Sequence, residues 1–291
     1  MLGWLLLPIA AGAGAAWRAM ASRRVEREYA ARNVPRPDGV VDGAAAFTLA
    51  GTNGRALLLL LHGSGDSPQT LRYLGERLNA AGYTVYAPLL PGHGRSPREF
   101  ARVRASGYMA EARSALDLLR ARHGWIGVAG LSMGGALAAQ VAAEAADVRV
   151  LMLLAPYLAG TPQVAWAART APLWGLVQQY LHARGEESVH DPVARTESYA
   201  YGIVAPNALR ALLETAARGR AALEHIAVPT LVIHSRADNR IPESVANETT
   251  ATLRAPTERH WVTGCGHIIT VDYCKDVVAD LVLAFLARHA D

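Results

Sequence analysis

Residues 125–145 read WIGVAGLSMGGALAAQVAAEA, and this stretch decides the fold. The apolar run at 125–129 predicts a short strand that is buried on both faces. It leads through a turn into residues 133–145, whose small side chains predict a helix. A serine with a glycine two positions before it and another two positions after it, at a strand-to-helix turn, is typical of a nucleophile elbow, since the glycines leave space for a strained backbone. The stretch predicts a layered α/β fold with Ser132 as the candidate nucleophile.

The rest of the chain supports an α/β fold, because short apolar runs alternate with helical patterns. Further strands are predicted at 44–50, 56–61, 84–90, 148–155, 230–234 and 260–263, and helices at 70–81, 107–122 and 273–289. Most of these runs are continuously apolar instead of alternating, as strands covered on both faces require. We therefore expect a mostly parallel sheet flanked by helices.

The domain organisation is predicted from length and from changes in composition. A chain of 291 residues is near the upper limit for one hydrophobic core, so we expect a single α/β domain at 41–291. Residues 157–225 interrupt the alternation, because they are apolar and aromatic-rich and show no convincing strand. They predict an inserted helical cap. Residues 23–40 are polar and end in NVPRPD, which predicts a helix that runs into a linker.

Residues 1–22 form a hydrophobic N-terminal segment. Residues 2–17 carry no charge, and the arginines Arg18, Arg23, Arg24 and Arg27 follow at once. We expect a single-pass or interfacial membrane anchor, with the arginines holding the main domain on the cytoplasmic side. Two alternatives stay open. One is a signal peptide cleaved after the Ala-Met-Ala at 19–21, followed by export, and the other is an apolar helix that covers its own protein or a dimer partner.

Composition argues against several classes of function. The net charge of +4 is small and evenly spread after residue 40, so no nucleic-acid partner is expected. The chain has no H-E-x-x-H motif, and His182 and His190 in the predicted cap lack a ligand-spaced partner, so we predict no metal and no cofactor. Cys265 and Cys274 are expected to be unpaired thiols, with a single bridge as the alternative in an oxidising compartment. The oligomeric state is not predicted.

Ser132 needs a base and an orienting acid to attack at neutral pH. After a nucleophile elbow the expected chain order is an acid and then a histidine. Asp238 follows a predicted strand across a short turn and is the predicted acid. Its rivals are Asp191, which lies in the predicted cap, and Asp272, which is expected to cap the last helix. His267 lies in a loop between the last strand and the last helix and is the predicted base.

The oxyanion hole needs two backbone N–H groups near the nucleophile. Met133 follows the nucleophile and is predicted to supply the first. Ser64, in the loop HGSGDS at 62–67, is predicted to supply the second, and that loop does not complete a phosphate-binding glycine pattern. Two other histidines are set aside as bases: His260 is expected to pack in a strand or to face solvent, and His93 is expected to be structural in the turn PGHG.

The segments LLLLLHGSGDS, PGHGRSP, GLSMGG, HSRADNRIP and GCGHIITVD together resemble the small bacterial carboxylesterase and monoacylglycerol-lipase branch of the α/β-hydrolases. The resemblance covers nearly the whole predicted domain. It implies Ser132 as nucleophile, Asp238 and His267 as its partners, and Ser64 and Met133 as oxyanion donors. The chain departs from the branch in two ways. A bulky apolar residue often stands where this chain has Ser64, and typical members lack the hydrophobic N-terminal extension.

The expected activity is carboxylic ester hydrolysis through an acyl-enzyme, on short- to medium-chain acyl esters and without a cofactor. The apolar cap indicates a hydrophobic substrate, so a membrane-associated monoacylglycerol lipase or lysophospholipase is the alternative. The same fold hosts thioesterases, C–C bond hydrolases and haloperoxidases, so the fold alone does not choose. A catalytically silent α/β-hydrolase that binds a lipid or a protein is the alternative from another class. The candidate triad argues against it.

Overall fold

The computed structural model describes residues 3–60, 63–183 and 187–289, and it has the layered α/β architecture that the sequence predicts. In chain order the described elements are α1 (Gly3–Arg32), β1 (Phe47–Leu49), β2 (Arg55–Leu60), α2 (Arg72–Ala80), β3 (Thr84–Ala87), α3 (Pro97–Phe100), α4 (Ala105–Arg120), β4 (Trp125–Leu131), α5 (Met133–Glu144), β5 (Val148–Leu154), α6 (Pro162–Val177), β6 (Leu181–His182), α7 (Pro192–Thr196), β7 (Ile203–Val204), α8 (Pro206–Ala222), β8 (Thr230–Ser235), α9 (Glu243–Thr252), β9 (Thr257–Val262) and α10 (Lys275–Arg288), with 3₁₀ turns at Pro68–Leu71 and Leu223–His225.

The main sheet of the described residues has the strand order β1-β3-β2-β4-β5-β8-β9. β1 runs antiparallel to β3, and the other neighbouring pairs in this sheet are parallel, so the predicted mostly parallel sheet is confirmed. β4 lies in the middle of the sheet, between β2 and β5, and its residues after Trp125 are buried. Ligands of open parallel sheets bind at the carboxyl ends of the strands. Ser132 directly follows β4 and lies at that edge.

Some element bounds differ from those predicted. β9 begins at Thr257 instead of residue 260, because it is the last strand of the sheet and its first residues are polar and only partly buried. α9 was not predicted, and its residues ESVANETTAT include three threonines, which have low helix propensity. Leu61, which the prediction placed in a strand, and His62 lie outside the described residues.

α1 is one helix that covers the predicted hydrophobic segment from residue 3 onward and continues to Arg32 in the polar segment after it. Its C-terminal half packs on the domain, since the ring of the buried Tyr29 stacks on Tyr201 with 4.8 Å between centroids. Glu26 accepts a hydrogen bond from the Tyr180 hydroxyl at 3.0 Å. Among the described residues, no helix is both long enough and apolar enough to cross a membrane.

The elements α6, α7 and α8 are inserted between β5 and β8, where the sequence predicts a helical cap. The insertion also holds β6 and β7, which pair antiparallel, so the expectation of no strand there is wrong. Each of these strands has two residues, which is too short to produce an alternating pattern. α8 also packs tightly on α5, because a Cβ at Gly219 would lie 2.6 Å from the Ala136 carbonyl oxygen. The end of the insertion therefore joins the helical layer that covers the sheet.

Candidate active site

Ser132 lies in a strained turn between β4 and α5. Its φ of 54° and ψ of −119° are rare for a residue with a side chain. The turn is held by the Ser132 N–H, which donates to the Leu154 carbonyl at 2.9 Å. A Cβ at Gly130 would overlap the Gly134 carbonyl oxygen, so the position accepts only glycine. The serine side chain is thereby presented at the N-terminus of α5, whose dipole favours negative charge.

The structure brings together Ser132, His267 and Asp238. In the sequence, Asp238 lies 106 positions after the serine, and His267 lies 29 positions after Asp238. His267 Nε2 lies 2.8 Å from Ser132 Oγ, and His267 Nδ1 lies 2.8 Å from Asp238 Oδ2. Ser132 is 2% exposed and His267 is 3% exposed. A base within hydrogen-bond distance of a hydroxyl, itself oriented by a carboxylate, can remove the hydroxyl proton.

The second oxygen of Asp238 is held by the backbone that follows it. Oδ1 accepts the N–H groups of Arg240 at 2.7 Å and Ile241 at 2.8 Å. Burial alone would raise the pKa of this carboxyl group, but the charge and hydrogen bond of His267, together with the two N–H groups, hold the pKa below its ordinary value. Asp238 is therefore ionised at neutral pH and can stabilise a positive charge on the histidine ring.

The predicted oxyanion donors both lie next to the nucleophile in the fold. Met133 is the first residue of α5, so its N–H has no acceptor within the helix. Ser64 follows Gly63, and a Cβ at Gly63 would come within 2.9 Å of Ser132 Oγ. This contact puts the loop after β2 directly against the nucleophile. Met133 and the loop that carries Ser64 thus adjoin Ser132 from separate elements, and the oxyanion role of their N–H groups stays a prediction.

His93, which the sequence assigns to a structural turn, supports this loop. Its Nε2 accepts the Gly65 N–H at 3.2 Å, and its Nδ1 lies 3.2 Å from the Pro91 carbonyl oxygen. Burial lowers the pKa of His93 to about 4, so the ring is neutral at physiological pH. A neutral ring with its proton on Nδ1 makes both hydrogen bonds, and it fixes the residue that follows Ser64.

The rival residues lie elsewhere or act differently. Asp191 is the N-cap of α7 and accepts the Val193 N–H at 2.9 Å. The side chain of His260 is 37% exposed and lies 3.8 Å from Glu258. The prediction that Asp272 caps the last helix is wrong. Cys274 is the N-cap residue of α10, while the Asp272 side chain is fully buried and accepts backbone N–H groups outside the helix.

The expectation of two unpaired thiols is also wrong, because Cys265 and Cys274 form a disulfide with 5.7 Å between their Cα atoms. The cysteines are nine positions apart, and the chain between them turns back before α10 begins. The bridge therefore closes the loop that carries His267. Cross-links of this kind typically stabilise a fold by about 2–4 kcal/mol, largely by restricting the unfolded chain.

No group of three or more His, Cys, Asp or Glu side chains could hold a metal ion within the described ranges.

A mostly parallel sheet of this order, with a serine elbow after its central strand and an insertion after the next strand, defines the α/β-hydrolase class. The chain belongs to the family described as serine aminopeptidase, S33 (Hydrolase_4), whose model matches residues 52–273. Family membership and fold agree with the enzyme class predicted from the sequence, a serine hydrolase of the lipase and esterase type.

Several relatives resemble the chain over most of its length. It is 30% identical to a thermostable monoacylglycerol lipase of Bacillus sp., over 86% of this chain and 97% of the relative. It is 26% identical to a carboxylesterase of Bacillus subtilis, over 83% and 96% of the two chains. A metagenome-derived lipolytic enzyme superposes with a TM-score of 0.76 at 29% identity, over 86% of this chain and all of the other. A monoacylglycerol lipase of Paleococcus ferrophilus, at 19% identity and a TM-score of 0.71, shares the fold over 84% and 98% of the two chains.

Proposed function

We propose that this chain hydrolyses carboxylic esters with short- to medium-chain acyl groups, using Ser132, His267 and Asp238 as a catalytic triad. The observation that carries the proposal is the chain of two 2.8 Å contacts from Asp238 through His267 to Ser132. A binding module would have no use for a buried acid and base aligned on a strained serine. For this reason the catalytically silent alternative is not favoured.

The proposed reaction begins when His267 Nε2 takes the proton of Ser132 as Oγ attacks the ester carbonyl carbon. The backbone N–H groups of Met133 and Ser64 stabilise the negative oxygen of the tetrahedral intermediate. His267 then gives its proton to the departing alcohol, which leaves an acyl group on Ser132. A water molecule, activated by the same histidine, releases the acid, and no cofactor takes part.

The second candidate substrate is a monoacylglycerol. It is favoured by the Bacillus relative of that name, which the chain matches over nearly its whole length. It is also favoured by the outward face of α6, which presents exposed apolar side chains. These are Trp166, Leu173, Leu176 and Val177, each more than half exposed. Exposed apolar surface of this extent on a monomer is typical of a contact with lipid or with another protein.

The proposal is tested with a fluorophosphonate probe and an ester panel. We expect the purified protein to be labelled and to hydrolyse p-nitrophenyl esters from acetate to palmitate, with the highest kcat/KM at butyrate or octanoate. Heat-denatured protein is the control and should not be labelled. Monoolein and a lysophospholipid are run beside the panel, and a higher kcat/KM on either would replace the short-chain assignment. Protein that is neither labelled nor active would support the silent binding module instead.

We further propose that the N-terminal segment contacts a membrane surface, with α1 lying in the interface. Trp17 is 53% exposed and Met20 is 59% exposed, and both are close to arginines that anionic lipids would attract. A groove of about 510 Å³ is lined by Ala15 and Ala19 of α1 and by Leu176 and Val177 of α6, so apolar side chains of the two helices adjoin. One lipid surface could therefore contact both helices and the cap.

Two features bear on which side of the membrane the catalytic domain faces, and they favour different sides. Arginines after the apolar segment favour a cytoplasmic catalytic domain. The disulfide favours export to an oxidising compartment, because such bridges are rare in the cytosol. N-terminal sequencing of the protein purified from its membrane fraction separates the two. An N-terminus at Met1 agrees with a cytoplasmic domain held by an uncleaved segment, and cleavage after Ala21 agrees with export.

Membrane contact is tested by flotation with phosphatidylglycerol-containing vesicles. We expect the double variant Trp17→Ser, Met20→Ser to bind about a hundredfold more weakly or worse, because each buried apolar side chain of this size contributes about 1.5–3 kcal/mol. Leu118→Ser is the matched control, since Leu118 is 59% exposed on α4. Equal binding of the double variant and this control would contradict the proposal.

A further inference from the structure

Asp272 connects the loop of His267 to a segment of the cap. Its buried carboxylate accepts N–H groups from Gly266 at 2.7 Å and His190 at 2.8 Å on Oδ2, and from Asp191 at 2.9 Å and Tyr273 at 2.8 Å on Oδ1. Burial alone would raise the pKa of this carboxyl group, but the N–H groups hold the pKa below its ordinary value. A charged carboxylate that accepts these hydrogen bonds holds the two chain segments firmly together.

The cap segment at residues 188–191, here called the strap, also contacts the chain around both triad partners. The Ser188 carbonyl accepts the Ile268 N–H at 3.0 Å, and Ser188 Oγ accepts Arg240 Nε at 2.8 Å. A Cβ at Gly266 would lie 2.6 Å from the Ser188 carbonyl oxygen, so the strap and the His267 loop are in direct backbone contact. The strap therefore lies between the loop of the base and the loop of the acid.

We propose that Asp272 and Ser188 are positioning residues, which hold His267 in register with Ser132 and Asp238 through the strap. The residues on both sides of His267 are fixed, Gly266 by the Asp272 carboxylate and Ile268 by the Ser188 carbonyl. A displacement of about 1 Å at a reacting group can cost about 10²-fold in rate. The inference rests on the proposed catalytic role of the triad.

The first test is Asp272→Asn, in the full-length protein. Asparagine replaces one acceptor oxygen by an NH₂ group, which faces backbone N–H donors and cannot accept from them. We expect kcat for p-nitrophenyl butyrate to fall about tenfold or more, with KM changed less than threefold. Rates are expressed per active site, counted by exhaustive fluorophosphonate labelling. Asp280→Asn is the matched control, since Asp280 is an exposed carboxylate on α10 and pairs with Arg77.

The second test, Ser188→Ala, applies even if Asp272→Asn does not fold. Ser188 is only partly buried, so its loss should alter stability little while it releases the strap from Arg240. We expect kcat to fall about threefold to tenfold, and the double variant to lose less than the product of the two single effects. If Asp272 and Ser188 only stabilise the fold, each folded variant should have a lower melting temperature but a kcat per titrated site within twofold of wild type. That result overturns the inference. A wild-type protein that is not labelled would instead refute the proposed function.

Discussion

Ser132→Ala is expected to reduce the hydrolysis of p-nitrophenyl butyrate to background, a loss of roughly 10⁴- to 10⁶-fold in kcat. Alanine has no atom that can form the acyl-enzyme, so only transition-state stabilisation by the surrounding N–H groups remains. The variant should also resist fluorophosphonate labelling. Initial rates and gel-based labelling, measured on the same preparation, check both expectations.

Ser132→Ala should remove the activity while the protein stays folded. The φ of 54° is borne equally by alanine and serine, and the lost hydroxyl removes one hydrogen bond to His267, so the free energy of unfolding should change by about 1 kcal/mol. Ser114→Ala, at an exposed serine of α4, serves as the control and should keep wild-type activity. Residual activity of more than a few per cent in a folded Ser132→Ala preparation would remove Ser132 from the mechanism.

The local geometry of the site could be predicted because its signals are local. A nucleophile elbow requires an apolar strand, small residues at fixed offsets and a helix, and residues 125–145 contain all three. The loops after β8 and β9 could likewise be placed, because each follows an apolar or partly apolar run. Parallel strands put their carboxyl ends at one edge, so the sequence predicts that the candidate triad residues Ser132, Asp238 and His267 lie near each other.

Contacts between distant segments could not be predicted in this way. Asp272 directly precedes the predicted last helix at 273–289, which is the position of a helix cap, and nothing nearby in the sequence indicates that its carboxylate faces the strap. The disulfide depends on how the loop between Cys265 and Cys274 turns back, which spacing does not determine. The hydroxyl of Ser188 was overlooked for the same reason, since its partner Arg240 lies in another loop.

Asp238→Asn is expected to lower kcat about 10⁴-fold at neutral pH. Asparagine has nearly the same shape as aspartate but no charge, and it should hold the His267 ring in the wrong tautomer. Oδ1 accepts the N–H groups of Arg240 and Ile241, so the asparagine carbonyl oxygen should keep this position. Its NH₂ group then faces His267 Nδ1 and forces that nitrogen to accept. The proton moves to Nε2, which can no longer take the proton of Ser132.

The control for this variant is Asp191→Asn, which tests the rival acid. Asp191 acts as the N-cap of α7, and asparagine caps as well as aspartate, so kcat should stay within about twofold of wild type. A large loss in Asp191→Asn, together with a small one in Asp238→Asn, would reverse the assignment of the acid.

The lowered pKa of Asp238 also predicts how the free energy of unfolding depends on pH. The pKa of Asp238 is lowered in the folded protein, so its ionised form contributes stability that is fully present above the ordinary value of about 3.9. That contribution is lost as the pH falls through the lower folded pKa, when the carboxylate becomes protonated. The asparagine variant has no carboxyl group to protonate. The difference in free energy of unfolding between wild type and Asp238→Asn, measured in urea, should therefore shift in favour of the variant as the pH falls below about 4, and a difference that is constant with pH would contradict an ionised Asp238.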